Sequence, residues 1–218
     1  VNGRADKAAV DAVVGEIEAA GGRAMAAMGD VSDPAVPPRL AAEAAAKFGG
    51  VDILVSNAGL RRQTSFLDMS FDEWREIMSV ALDGAFLLGK AIVPQMVARG
   101  GGAFVALSGV STHVGTPNRC HVSASKSGLE GLMRALAVEL APHRITCNAL
   151  APGAIDTARG AAAEVEGADI ESGFAERGAD AADEAGGVLV DDIEHVTVEI
   201  GLDLDAEHFD ETRVAVAE

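Results

Sequence analysis

The sequence predicts an α/β fold, a doubly wound parallel sheet, over residues 1–157, followed by an acidic segment over 158–218. Three observations predict it. Short apolar runs alternate with helical segments and are linked by a few residues, the pattern of βαβ units with right-handed crossovers. The run Val51-Asp52-Ile53-Leu54-Val55 is compact and β-branched, which suits a strand buried on both faces. Charge changes sharply along the chain. Residues 1–157 hold 16 acidic and 14 basic side chains, residues 158–218 hold 18 and 3, and the total is −17. That step marks a boundary near residue 158.

The elements follow in order. Val10, Val13, Val14 and Ile17 have helical spacing between Ala8 and Ala20, and Gly21-Gly22 ends that helix. Arg23 to Val31 reads as a strand ending in Gly-Asp-Val. Ser32-Asp33 can cap a helix that runs to Phe48 and stops at Gly49-Gly50. Ser56-Asn57-Ala58-Gly59 is a turn after the Val51 strand. Ser70-Phe71-Asp72-Glu73 has the capping-box pattern and opens a long helical region reaching about Arg99. Gly100-Gly101-Gly102 breaks it. Ala103 to Leu107 is the next strand, and a polar loop spans Ser108 to Cys120. Val122 to Leu140 is helical and Pro142 closes it. Ile145 to Leu150 is a further strand, followed by Ala151-Pro152-Gly153.

After Thr157 the periodicity fades. His195 to Asp205 alternates apolar and polar residues, compatible with one exposed strand or a solvated acidic tail, and the tail is favoured. The acidic balance argues against nucleic-acid and anionic-membrane partners, because phosphates would be repelled. The apolar stretches are interrupted before the length of a membrane span, and the N-terminus has no signal-peptide pattern. Cys120 and Cys147 lack metal-ligand or CxxC spacing, so two free thiols in a reducing cytoplasm and no metal site are expected.

In a parallel sheet, ligands sit at the carboxyl ends of the strands. The residues there form one ordered set: Asp30-Val31, then Ser56-Asn57-Ala58-Gly59, then Ser123-Ala124-Ser125-Lys126 opening a helix, then Pro152-Gly153-Ala154-Ile155-Asp156-Thr157. Each motif is short. Together, covering nearly all of residues 1–157, they resemble the short-chain dehydrogenase/reductase family, including its 3-oxoacyl-ACP reductase-like members. The resemblance implies a Rossmann-like nicotinamide-binding fold. It implies that Asp30 and Val31 contact adenine, and that Asn57, Ala58 and Gly59 form the N-A-G turn. Pro152 and Gly153 would lie beside the nicotinamide, with Ile155 and Thr157 near its carboxamide and the pyrophosphate. Lys126 would bind the nicotinamide ribose and act as the catalytic lysine. Arg4, just past the second strand, suits the 2′-phosphate of NADP, so NADP is favoured, with NAD possible.

The pattern also fails in places. The family's Y-x-x-x-K motif puts Val122 four residues before Lys126, and the chain contains no tyrosine. The family's catalytic serine falls on Gly109, with Ser108 beside it, and its assisting asparagine falls on Ala81. Hydride transfer to a ketone needs a proton donor. His121, next to the tyrosine position, and Ser108 are the candidates to assist Lys126, and His113 is better read as an ordinary loop histidine. The family's first strand and its T-G-x-x-x-G-x-G loop have no counterpart ahead of Val1. Its last helix and strand are not recognisable in 158–218, so a divergent member short at both ends is expected. A missing central strand would leave its neighbours' edges unpaired.

Two functions follow. One is an NAD(P)-dependent oxidoreductase acting on a secondary alcohol or ketone, with Leu60–Phe66 and His113–Asn118 lining part of its pocket. The alternative is an inactive relative or fragment that serves as an interaction or scaffolding subunit. For either, the family resemblance implies a homodimer or homotetramer formed through the two long helices.

Overall fold

The computed structural model describes residues 1–153 and 214–217. The chain divides into two compact units, Val1–Ala151 with Leu204–Glu218, and Pro152–Asp203. The sheet belongs to the first. Its elements are β1 (Asn2–Gly3), α1 (Lys7–Ala19), β2 (Ala27–Met28), α2 (Val36–Phe48), β3 (Ile53–Ser56) and α3 (Phe71–Met78). A π-turn (Ser79–Asp83) leads into α4 (Gly84–Arg99), followed by β4 (Gly102–Leu107), α5 (Ser111–Val114), α6 (Cys120–Leu140), a 3₁₀ turn (Ala141–His143), β5 (Ile145–Leu150) and β6 (Val214–Ala217).

The strands pair in the order β2-β1-β6-β3-β4-β5, and every pairing is parallel. Adjacent residues of the central strands point to opposite faces, yet Ile53 and Leu54 are both buried, as are Ala103 and Phe104. Both faces of the sheet are therefore covered, the arrangement expected of a doubly wound fold. Helix α4 lies so close to β4 that a Cβ on Gly89 would stand 2.9 Å from Phe104. Phe104, Leu54, Met96, Leu129 and Met133 fill the core around this contact.

The first strand of the family was expected to be missing, with unpaired edges in its place. The structure fills that position from the other end of the chain. β6 lies between β1 and β3, with Leu54 opposite Ala215 and Asn2 opposite Ala217. Backbone groups at the centre of a sheet must be paired, and the V-A-V-A segment has the small and β-branched residues a buried central strand accepts. The sequence analysis places no strand at Val214–Ala217, where the structure has one. The alternating stretch from His195 to Asp205 lies outside the described residues.

Smaller differences have local causes. The strand expected over Arg23–Val31 is only Ala27–Met28. Helix α2 starts at Val36 rather than at Ser32-Asp33, because those side chains are used in the turn before it. Asp30 accepts hydrogen bonds from the Ser32 backbone N–H and hydroxyl, and Asp33 accepts one from the Ala35 N–H. Gly49 ends α2 in the left-handed conformation, as the Gly-Gly pair predicts. The polar loop contains the short helix α5. Helix α6 begins two residues earlier than expected, at Cys120.

The long region from Phe71 to Arg99 is continuous through the π-turn. By length and mean hydropathy it is long and apolar enough to cross a membrane, although Asp83 and Lys90 interrupt its apolar run. Its apolar residues are used otherwise: Ile77, Val80, Leu88, Ile92 and Met96 are buried in the core. Half of the capping box at its start is formed, with Ser70 Oγ accepting from the Glu73 N–H, while the Glu73 carboxylate accepts from Thr64 instead.

Candidate cofactor and proton-transfer site

Strands β1 and β3 end at one cleft of about 100 Å³, lined by Asn2, Arg4, Gly29, Asp30, Val31, Ala58, Gly59, Leu60 and Val80. Five residues singled out from sequence, Arg4, Asp30, Val31, Ala58 and Gly59, thus meet in one place. The Asn2 side chain donates to Ala27 O at 2.7 Å and to Gly29 O at 3.1 Å, tying the end of β1 to the turn that carries Asp30. Asp30 has two opposed influences. Partial burial pushes its carboxyl up, but the bonds from Ser32 and the charge of Arg4 outweigh that and hold it below the usual range. Arg4 lies 3.8 Å from Asp30 and 4.0 Å from Glu76, half exposed at the rim.

Lys126 lies on α6, close to the carboxyl ends of β3 and β4. Its Nζ donates to Leu107 O, the last carbonyl of β4. A Cβ on Gly59 would be 3.6 Å from that Nζ, so the glycine leaves room beside the amine. Burial lowers the lysine from its ordinary 10.5 to about 8, and the like charge of Arg61 adds to the effect. Asn57, the remaining residue of the N-A-G turn, is exposed.

Ser108 follows β4 and is held there by its backbone N–H, which donates to Leu150 O at 2.7 Å. Its hydroxyl donates to Glu130 Oε1 at 2.6 Å, and both side chains are buried. The same oxygen accepts from Thr112 Oγ1 at 3.0 Å and lies 3.3 Å from His113 Nε2. One carboxylate on α6 therefore gathers three side chains of the segment after β4.

His121 is fully buried. Its Nε2 lies 3.3 Å from Glu73 Oε1, which also accepts from Thr64 Oγ1 at 2.6 Å. The Thr64 hydroxyl is the main cause of the lowered pKa of Glu73, with His121 and Arg62 adding to it and slight burial opposing it. The imidazole thus links α6 to α3 and the Thr64 loop. Val122, at the tyrosine position, is partly buried. Ala81, at the asparagine position, is buried in the π-turn, a feature often found at functional sites.

Pro152 and Gly153 belong to the second unit, and Ile155 and Thr157 lie outside the described residues. Glu130, Glu73 and Thr64 were not picked out from the sequence. For Glu130 a signal existed: it shares the helical spacing of Lys126, Leu129 and Met133, so an acid falls on the buried side of α6.

The family model for short chain dehydrogenase matches residues 3–166. The chain belongs to the short-chain dehydrogenase family. L-rhamnose 1-dehydrogenase (NAD(P)(+)) of Sphingomonas sp. (strain SKA58) is 43% identical to it over 145 residues, 66% of this chain and 57% of that relative. A 3-oxoacyl-[acyl-carrier-protein] reductase of Synechocystis sp. (strain ATCC 27184 / PCC 6803 / Kazusa) is 36% identical over 157 residues, 72% and 64% of the two chains. Among solved structures, acetoin dehydrogenase from Enterobacter cloacae superposes with a TM-score of 0.68 at 39% identity, covering 72% of this chain and 63% of that one. This short-chain dehydrogenase thus spans less than two thirds of each of these relatives.

The cleft offers a dinucleotide small residues at Ala58 and Gly59 and a guanidinium at its rim, and the part-buried Lys126 amine lies beside Gly59, outside the cleft lining.

Proposed function

We propose that the chain is an NAD(P)-dependent oxidoreductase that transfers hydride between a nicotinamide cofactor and a secondary alcohol or ketone, with NADP preferred. The part-buried Lys126 amine beside the N-A-G turn carries this reading. A family member that had lost cofactor use would have no reason to keep a desolvated ammonium at the strand ends, because burying a cation is costly. Asp30 and Val31 would hold the adenine, Arg4 the 2′-phosphate and Lys126 the nicotinamide ribose. The proposed setting is a reducing cytoplasm, in keeping with the free cysteines Cys120 and Cys147. Titrating the full chain into NADPH and following cofactor fluorescence tests the reading. Saturable enhancement is expected, and none at millimolar cofactor would end it.

A second reading, a non-catalytic assembly subunit, is favoured by Val122 and by exposed apolar residues on the two long helices. Phe86 and Val97 on α4 and Val138 on α6 are exposed. They suit a homodimer or homotetramer built on those helices, and polar partners such as nucleic acid do not suit them. Sedimentation velocity tests this, and a monomer at all concentrations would count against it.

A further inference from the structure

We propose that Lys126 is itself the proton donor and acceptor of the reaction, in the role its family gives to a tyrosine hydroxyl. The proposal rests on the oxidoreductase reading and adds the identity of the acid.

The alternatives are bonded elsewhere or enclosed; His121 Nδ1, for one, is buried without a partner. Val122 has no exchangeable proton, and no tyrosine exists to take its place. His121 is fully buried and faces Glu73 across the α3–α6 contact. The Ser108 hydroxyl donates to Glu130, the Thr112 hydroxyl lies between Gly109 O at 2.9 Å and Glu130 at 3.0 Å, and the ring of His113 lies against the same carboxylate. Lys126 differs. One of its three N–H bonds goes to Leu107 O, which leaves two, and the side facing Gly59 carries no Cβ. The amine sits at the carboxyl ends of adjacent parallel strands, where ligands bind in such sheets.

The charges around it favour release of a proton. Burial and the Arg61 guanidinium both work against the ammonium form, and they bring it to about 8. An acid with a pKa near the working pH is present in the correct form and still gives its proton readily. An ordinary surface lysine would hold it too tightly.

The reduced nicotinamide that Lys126 and the N-A-G turn would hold would supply the hydride for the carbonyl carbon, whose C=O π-bond would break as it adds. The oxygen gains that electron pair and takes a proton from the Lys126 ammonium. The carbonyl is reduced to an alcohol, the nicotinamide is oxidised, and Lys126 is left as a neutral amine that water reprotonates. In the oxidative direction the neutral amine accepts the alcohol proton.

The test uses the full chain and three readouts. Lys126→Arg keeps a cation but cannot release a proton near neutrality, because a guanidinium stays charged. It should keep a native circular dichroism spectrum and measurable, though weaker, NADPH binding, yet lose turnover at saturating cofactor by about a hundredfold or more. Lys126→Ala should regain turnover when primary amines are added, with a rate that depends on amine basicity. Independently of activity, the pH dependence of acetic anhydride labelling at Lys126, read by peptide mass spectrometry, should show a midpoint near 8. Turnover in Lys126→Arg within about tenfold of the parent overturns the proposal, as does rescue that ignores amine basicity, or a labelling midpoint at the ordinary 10.5. A parent chain that binds NADPH but turns over no ketone also overturns it. Absence of NADPH binding removes the oxidoreductase reading as well. Binding with unaffected Lys126→Arg turnover removes only the role of the lysine.

Discussion

The Ser108 hydroxyl and the Glu130 carboxylate meet at 2.6 Å beneath the segment that follows β4, and both are buried. The serine lies beside the position where the family places a catalytic hydroxyl, and its proton is turned toward a carboxylate. Glu130→Ala strands the buried Ser108 hydroxyl and leaves the partly buried Thr112 hydroxyl with Gly109 O alone. A buried hydrogen bond to a charged group contributes about 2 kcal/mol, so a loss of about that size is expected in urea unfolding. Ser108→Ala, which leaves Glu130 with Thr112 and His113, should cost less. An equal or reversed order would refute the view that Glu130 is the hub.

Glu73 has a depressed pKa, and Thr64 is its main cause. A depressed carboxyl adds stability above its ordinary 4.5, and that stability disappears as the pH falls through the lower folded value. Thr64→Val should therefore shift the onset of acid unfolding to higher pH. The single tryptophan, Trp74, adjoins Glu73 and reports the transition by fluorescence. An unchanged acid limb would show that the hydroxyl does not set this carboxyl.

Strand β6 pairs on both sides, with β1 and with β3. Proline at Val216 removes a backbone donor from the middle of the sheet and is expected to cost about 3 kcal/mol or more. Deleting 214–217 should go further and expose two parallel edges, promoting association. Thermal unfolding and light scattering read the two outcomes. A deletion with the parent's melting temperature and no association would show that the sheet does not depend on β6.

Arg4 stands at the rim of the cleft, with Asp30 and Glu76 as its nearest carboxylates. If it serves a 2′-phosphate, Arg4→Ala should weaken NADPH binding about tenfold, equivalent to about 1.4 kcal/mol, and leave NADH binding nearly unchanged. An equal loss for both cofactors would assign Arg4 to the general shape of the cleft. Added salt should narrow the difference between cofactors, since the arginine is half exposed.

The sequence by itself determined the parallel α/β architecture and the family. Alternating periods, glycine stops and the Asn57-Ala58-Gly59, Lys126 and Asp30-Val31 signatures are local features, and local chemistry fixes them. It also determined that Val122 and Ala81 have no acid–base chemistry to offer. Only the tertiary structure decided what the remaining polar groups face. The direction of His121 toward Glu73, the convergence of Ser108, Thr112 and His113 on Glu130, and the burial that lowers Lys126 depend on residues distant in sequence. Periodicity places a residue on one side of its helix but does not say which group of another element lies opposite. The same holds for β6. Its four residues read as a strand only because two parallel neighbours, more than 150 residues away in the chain, leave backbone groups that must be paired.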